Sequence, residues 1–145
     1  MIYVIETQKL IQSMMESLQF FRSCLNDGAD AASETSLLDL LAQLQQELNR
    51  FESEISVKAA SLDLHFDSLP PVSHYLRKFK NRLILHFKNS DSAVSESMIR
   101  CATQCIITIT RTKHAIKSVD PDTEQLFQRL HCCLNMSIRY FRAYL

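Results

Sequence analysis

The chain has 145 residues with one Gly, three Pro, no Trp, 46% hydrophobic side chains, and 16 basic against 16 acidic groups. That length suits one domain with a core of its own, and the apolar content excludes a disordered chain. A single Gly excludes Gly-rich phosphate loops and dinucleotide fingerprints, and scarce Gly and Pro together exclude folds built on many tight turns.

Residues 3–26 place Ile11, Met14, Leu18, Phe21 and Leu25 on one face of a long amphipathic helix, because 3.6 residues per turn aligns positions three and four apart. Asn26-Asp-Gly28 is the expected stop, since Gly accepts the left-handed conformation of a helix end. Residues 29–35 read as a short polar loop. A second helix is expected from Ser36, with Asp39 as a capping-box signal and a stripe of Leu37, Leu41, Leu44, Leu48, Phe51 and Ile55. It fades through Lys58-Ala-Ala-Ser61. Residues 62–71 read as an extended connector, because Pro70-Pro71 forbids helix continuation.

A shorter helix over 72–88 follows, with Val72, Leu76, Phe79, Leu83 and Phe87. Asn89-Ser-Asp-Ser92 ends it and caps the next helix, 92–118, whose stripe is Val94, Met98, Cys101, Cys105, Ile109, Ala115 and Ile116. Asp120-Pro121-Asp-Thr-Glu124 is the cleanest start signal, with an Asp cap, Pro at the first helical position and acids near the positive dipole end. The last helix aligns Phe127, Leu130, Leu134, Ile138, Phe141 and Leu145. On this reading no Gly or Pro lies inside a helix.

The four long segments are each about 36–40 Å at 1.5 Å per residue. Short loops make the first and last pairs antiparallel hairpins, at 3–61 and 92–145, with 62–90 as a long crossover. The expectation is one all-α domain over 1–145, a four-helix bundle of ferritin-like topology.

Leu10-Ile11, Glu16-Ser-Leu-Gln-Phe-Phe-Arg22, His74-Tyr-Leu-Arg-Lys-Phe-Lys80, Asp91-Ser-Ala-Val94 and Arg139-Tyr-Phe-Arg-Ala143 carry a resemblance over most of the chain. It resembles the small bacterial ferritin-like proteins of unassigned function, which implies two helix pairs joined by a helical crossover. Many members of that group carry carboxylates in the fourth helix, where this chain has Ile99-Arg-Cys-Ala102.

A di-iron or di-manganese bundle needs inward Glu residues and a Glu-x-x-His motif on each of two helices. No Glu here is followed three residues later by His. Glu16 and Glu96 point away from their apolar stripes, and Glu47 and Glu54 read as a solvated flank. Cys101 and Cys105, one turn apart and inward, could join His131 around a soft metal such as zinc, but the spacing matches no zinc finger or ribbon. Ordinary core packing of the thiols is the preferred reading. No signature of covalent catalysis surrounds any Cys. The expectation is a non-enzyme without a cofactor, the alternative being a ferritin-like metal-binding protein with a degenerate or Cys/His-based site.

The N-terminus lacks a basic start followed by an apolar run, and nothing approaches the roughly 18–20 apolar residues of a membrane span. The odd number of Cys, five, argues for reduced thiols, so a cytoplasmic location is expected.

Neutrality hides a split. Residues 1–70 hold 11 acids and 4 bases, and residues 71–145 hold 5 acids and 12 bases. Arg77, Lys78, Lys80, Arg82 and Lys88 make the crossover a basic patch, which either faces its own acidic hairpin or meets a partner. Nucleic acid is disfavoured as that partner, since no recognised binding motif accompanies the charge. Apolar residues also lie off the main stripes: Leu126, Cys133, Met136, Tyr140 and Tyr144 in the last helix, and Ile84 and Leu85 in the crossover. Two readings stand: burial inside the monomer, with the crossover packed over the last helix, or an interface with a homo-oligomer or protein partner, for which Leu126, Met136, Tyr140, Tyr144, Ile84 and Leu85 are the candidates. The functional expectation is a self-associating interaction or structural protein.

Overall fold

The computed structural model describes residues 2–64 and 90–145. The helix expected over 72–88, Ile84, Leu85 and the basic residues Arg77, Lys78, Lys80, Arg82 and Lys88 lie outside the described residues. Those described form four helices and no strand: α1 (Ile2–Ala31), α2 (Thr35–Ser61), α3 (Asp91–Ala115) and α4 (Pro121–Arg142).

Contacts at the helix ends set the directions. Glu6, near the start of α1, accepts from the backbone amides of Lys117 and Ser118 just after α3 (3.1 and 3.2 Å). Gln8 donates to the Leu62 carbonyl after α2 (2.9 Å), and Lys58 pairs with Asp120 at the start of α4. At the opposite end, the Asp91 carboxylate accepts from the amides of Ser33 and Glu34 (2.8 and 3.1 Å). Thus α1 rises, α2 and α3 descend, and α4 rises. α1 with α2, and α3 with α4, are antiparallel hairpins. Because α2 and α3 run the same way, Leu64 and Ser90 lie at opposite ends of the bundle, as a long crossover requires.

The expected stripe of α2 is in the core, Leu37, Leu41, Leu44, Leu48, Phe51 and Ile55, as are Val94, Met98, Cys101, Cys105 and Ile109 of the α3 stripe, whereas Ala115 is exposed and Ile116 half-buried because the helix ends there. Phe127, Leu130, Leu134 and Phe141 complete it from α4, while Ile138 is half-buried and Leu145 is exposed beyond the helix end. Burial of α1 is wider than one stripe. Leu10, Met15, Phe20 and Cys24 are buried beside the five expected residues, and so are Thr7, Ser13 and Ser17. In the packing order around the bundle, α1 lies between α2 and α3, so two of its faces meet neighbours.

Three local expectations need correction. Gly28 does not stop α1, which continues to Ala31. A Cβ at Gly28 would stand 3.3 Å from Val94 Cγ1 and Met98 Cε, so the residue serves a close approach of α3 rather than a turn. Asp39 closes no capping box: α2 begins at Thr35 after Glu34, which makes no side-chain cap, and this start puts Leu37 at the box position. Finally, α3 ends at Ala115, one residue before Ile116, whose extended backbone leads to the α4 cap.

Other termini follow local chemistry. Ser90 accepts from the Ala93 amide (3.0 Å), and Asp120 accepts from the Thr123 amide (2.8 Å) ahead of Pro121. Beyond α2, Leu64 and Asp63 donate to the carbonyls of Ala59 and Ala60, the paired bonds of a Schellman end, with Asp63 at φ 55° in the left-handed position.

Candidate functional site

The thiols and the imidazole considered as metal ligands go to different places. Cys101 and Cys105 are fully buried and face α1, where Cys101 lies against Cys24 and Cys105 donates to the Ser17 carbonyl (3.3 Å). Burial pushes both thiols well above their ordinary range, and the adjacent Cys24 adds to the shift. His131 is half-buried on α4, tilted against the Phe127 ring (5.8 Å between centroids), with Nδ1 3.1 Å from the Asn135 amide nitrogen. Among the described residues, no three His, Cys, Asp or Glu side chains are grouped so as to hold a metal ion. Cys24 is the member that the sequence reading missed. Its signal was faint: it stands next to Leu25 of the stripe, on an edge exposed in any helix that buries a single face.

Charges concentrate at the end of the bundle where α4 begins. Lys58 is bonded to Asp120 and lies 3.8 Å from Asp122. Burial works against the Asp120 carboxylate, but bonds from Lys58 and Thr123 outweigh it and hold its pKa below the ordinary value. Glu124 is likewise lowered, first by Gln128 and then by Lys113 at 3.2 Å. These pairs join α2, α3 and α4 at one end.

Among the described residues, the seam between α2 and α4 is open. Three hollows follow one another along it. At the lower end, Val57, Lys58, Asp122 and Leu126 border a space of about 670 Å³. Above it, Arg129 crosses the seam to Glu54 (3.0 Å) and covers the Phe51 ring, 5.3 Å from its centroid. Beyond this bridge, Leu40, Leu44, Glu47, Cys133, Met136 and Tyr140 line a hollow of about 330 Å³. The uppermost, of about 590 Å³, is bordered by Asp39, Leu40, Arg139, Tyr140 and Tyr144.

The interface candidates therefore divide. Tyr140 is 47% exposed and Met136 36%, and both form the α4 wall of the groove. Tyr144 is half-buried and packs against the core while bordering the uppermost hollow. Leu126 is corrected: only 8% of it is exposed, which leaves it too little surface for an interface. Cys133 is half-buried, and burial together with the nearby Glu47 pushes its thiol up to about 11. Leu40, on the facing wall, was not singled out from the sequence, although its spacing from Leu37 and Leu44 places it at the edge of the α2 stripe.

No protein-family model matches the chain, nor does any curated protein or solved structure. No helix among the described residues is long and apolar enough to cross a membrane.

Proposed function

We propose that this protein works by binding rather than by catalysis, as a self-associating helical bundle that docks through the α2–α4 groove. The carrying observation is the pair of large exposed side chains, Met136 and Tyr140, above the half-buried Leu40 and Cys133. Aromatic residues and Met are enriched at protein interfaces, where a wide, adaptable apolar surface gains from losing water. The other chemically active groups support the same reading. Cys101 and Cys105 are held in the protonated thiol form by burial, and the charges around Lys58 join helix ends.

The test is Tyr140→Glu, read by native mass spectrometry with circular dichroism as the fold control. The wild type should be an oligomer and the variant a folded single chain, since a charge in the apolar centre of an interface loses its hydration without gaining a partner. An unchanged oligomer mass in the variant would refute docking through this groove.

A further inference from the structure

Resting on that self-association, we propose that the groove's occupant is a second copy of this chain in one particular orientation, α2 of each copy lying over α4 of the other.

The two walls of the groove differ in charge. Along the upper hollows α2 presents Asp39 and Glu47, whereas α4 presents Arg139. Beyond Glu124, α4 carries Arg129, Arg139 and Arg142 and no acid. Asp39 and Arg139 are both exposed, and neither is in an ion pair among the described residues.

A two-fold pair sets one patch against itself, so every contact occurs twice. Two rotations can lay one groove face upon another. A two-fold axis running across the groove stacks α2 on α2 and α4 on α4, acid on acid and arginine on arginine. An axis running along the groove stacks each α2 on the other copy's α4 and preserves height along the bundle.

Asp39 and Arg139 border the same hollow from opposite walls, so their heights differ by no more than its length, a span the long Arg139 side chain can bridge. The second rotation therefore brings Asp39 of each copy to Arg139 of the other, twice. It also leaves the stacked helices antiparallel, because α2 descends and α4 rises. Leu40, Met136 and Tyr140 of both copies then share one apolar layer between two charged edges. Like charges across an interface disfavour the first rotation, and opposite charges select the second.

Asp39→Arg and Arg139→Asp, made in separate chains, test this. Each alone faces like charge with like in its own dimer and should dissociate about tenfold more readily than the wild type. Mixed in equal amounts, the two variants should form a heterodimer of wild-type affinity, because both of its contacts again join opposite charges. Native mass spectrometry separates the three species by mass. A dimeric wild type whose variants mix statistically, with unchanged affinity, would overturn the orientation and leave self-association standing. A wild type that stays a single chain, with residues 65–89 or another protein covering the groove, would overturn both. Should either variant lose helix content, the wild-type dissociation constant is read against ionic strength instead. A rise of about tenfold from low to high salt is expected, and a constant value would overturn the orientation.

Discussion

Two seams of the same bundle behave in opposite ways. Between α1 and α3 the side chains are small: Ser13, Ser17, Cys24 and Gly28 face Val94, Cys101, Cys105 and their neighbours. Two hydrogen bonds cross the contact, Thr112 donating to Ser13 (2.9 Å) and Cys105 to the Ser17 carbonyl, while the buried Ser17 hydroxyl makes none among the described residues. Between α2 and α4 the side chains are long: Glu54 reaches Arg129, while Tyr140, Met136 and Arg139 stand at the rim. Small residues let two backbones approach until no space remains, and long ones keep them apart with a groove between. One bundle thus contains a closed seam that holds the fold and an open one that leaves a groove.

The cysteines give the largest contrast between the seams. Labelled with a thiol reagent under native conditions, Cys132, which is exposed, should react orders of magnitude faster than Cys24, Cys101 and Cys105. The buried three should be reached only through opening of the bundle, so their rates should follow its unfolding equilibrium. Equal rates at Cys101 and Cys132, followed by peptide mass analysis, would show that the α1–α3 seam is not closed.

Next in size is steric. Gly28→Leu must push Val94 and Met98 aside and should cost about 2 kcal/mol in urea unfolding. Met136→Ala, at the open seam, should change the stability of the single chain by less than about 0.5 kcal/mol. Similar costs for both would remove the distinction between the seams.

The smallest effect lies at the helix ends. Asp120→Ala removes the α4 cap and should cost about 1 kcal/mol at neutral pH. The folded pKa of Asp120 is lowered, so its contribution is present above its unfolded pKa and is lost as pH falls through the folded one. The wild type and Asp120→Ala should therefore converge in stability only in acid, below the ordinary carboxylate range. Parallel acid limbs in chemical denaturation would contradict the Lys58–Asp120 linkage.

Much of this architecture is legible from local pattern. Leu37, Leu41, Leu44, Leu48, Phe51 and Ile55 repeat with the helical period, and all are buried. Asp120-Pro121 starts a helix because both residues act within one turn, independent of what lies across the bundle. Gly28 misleads for a related reason. A Gly after Asn and Asp reads locally as a helix stop, yet the space its missing side chain leaves is taken up by Val94 and Met98, some seventy positions away. Leu126 and Tyr140 look alike in sequence, both standing behind the main stripe, but tertiary packing buries the first and leaves the second 47% exposed.

The helical periods, the Ser90 and Asp120 caps and the short hairpin loops were present in the amino-acid order, because each depends on groups within a few residues of one another. The gathering of Cys24 with Cys101 was not, nor the divergence of His131 from them, nor which seam closes. Those features depend on how near two helices can come, and that distance is set by side chains far apart in the chain meeting face to face. The charge of the groove joins both levels: Asp39 and Arg139 are plain in the sequence, but only the packing of α2 beside α4 places them on opposite walls of one hollow.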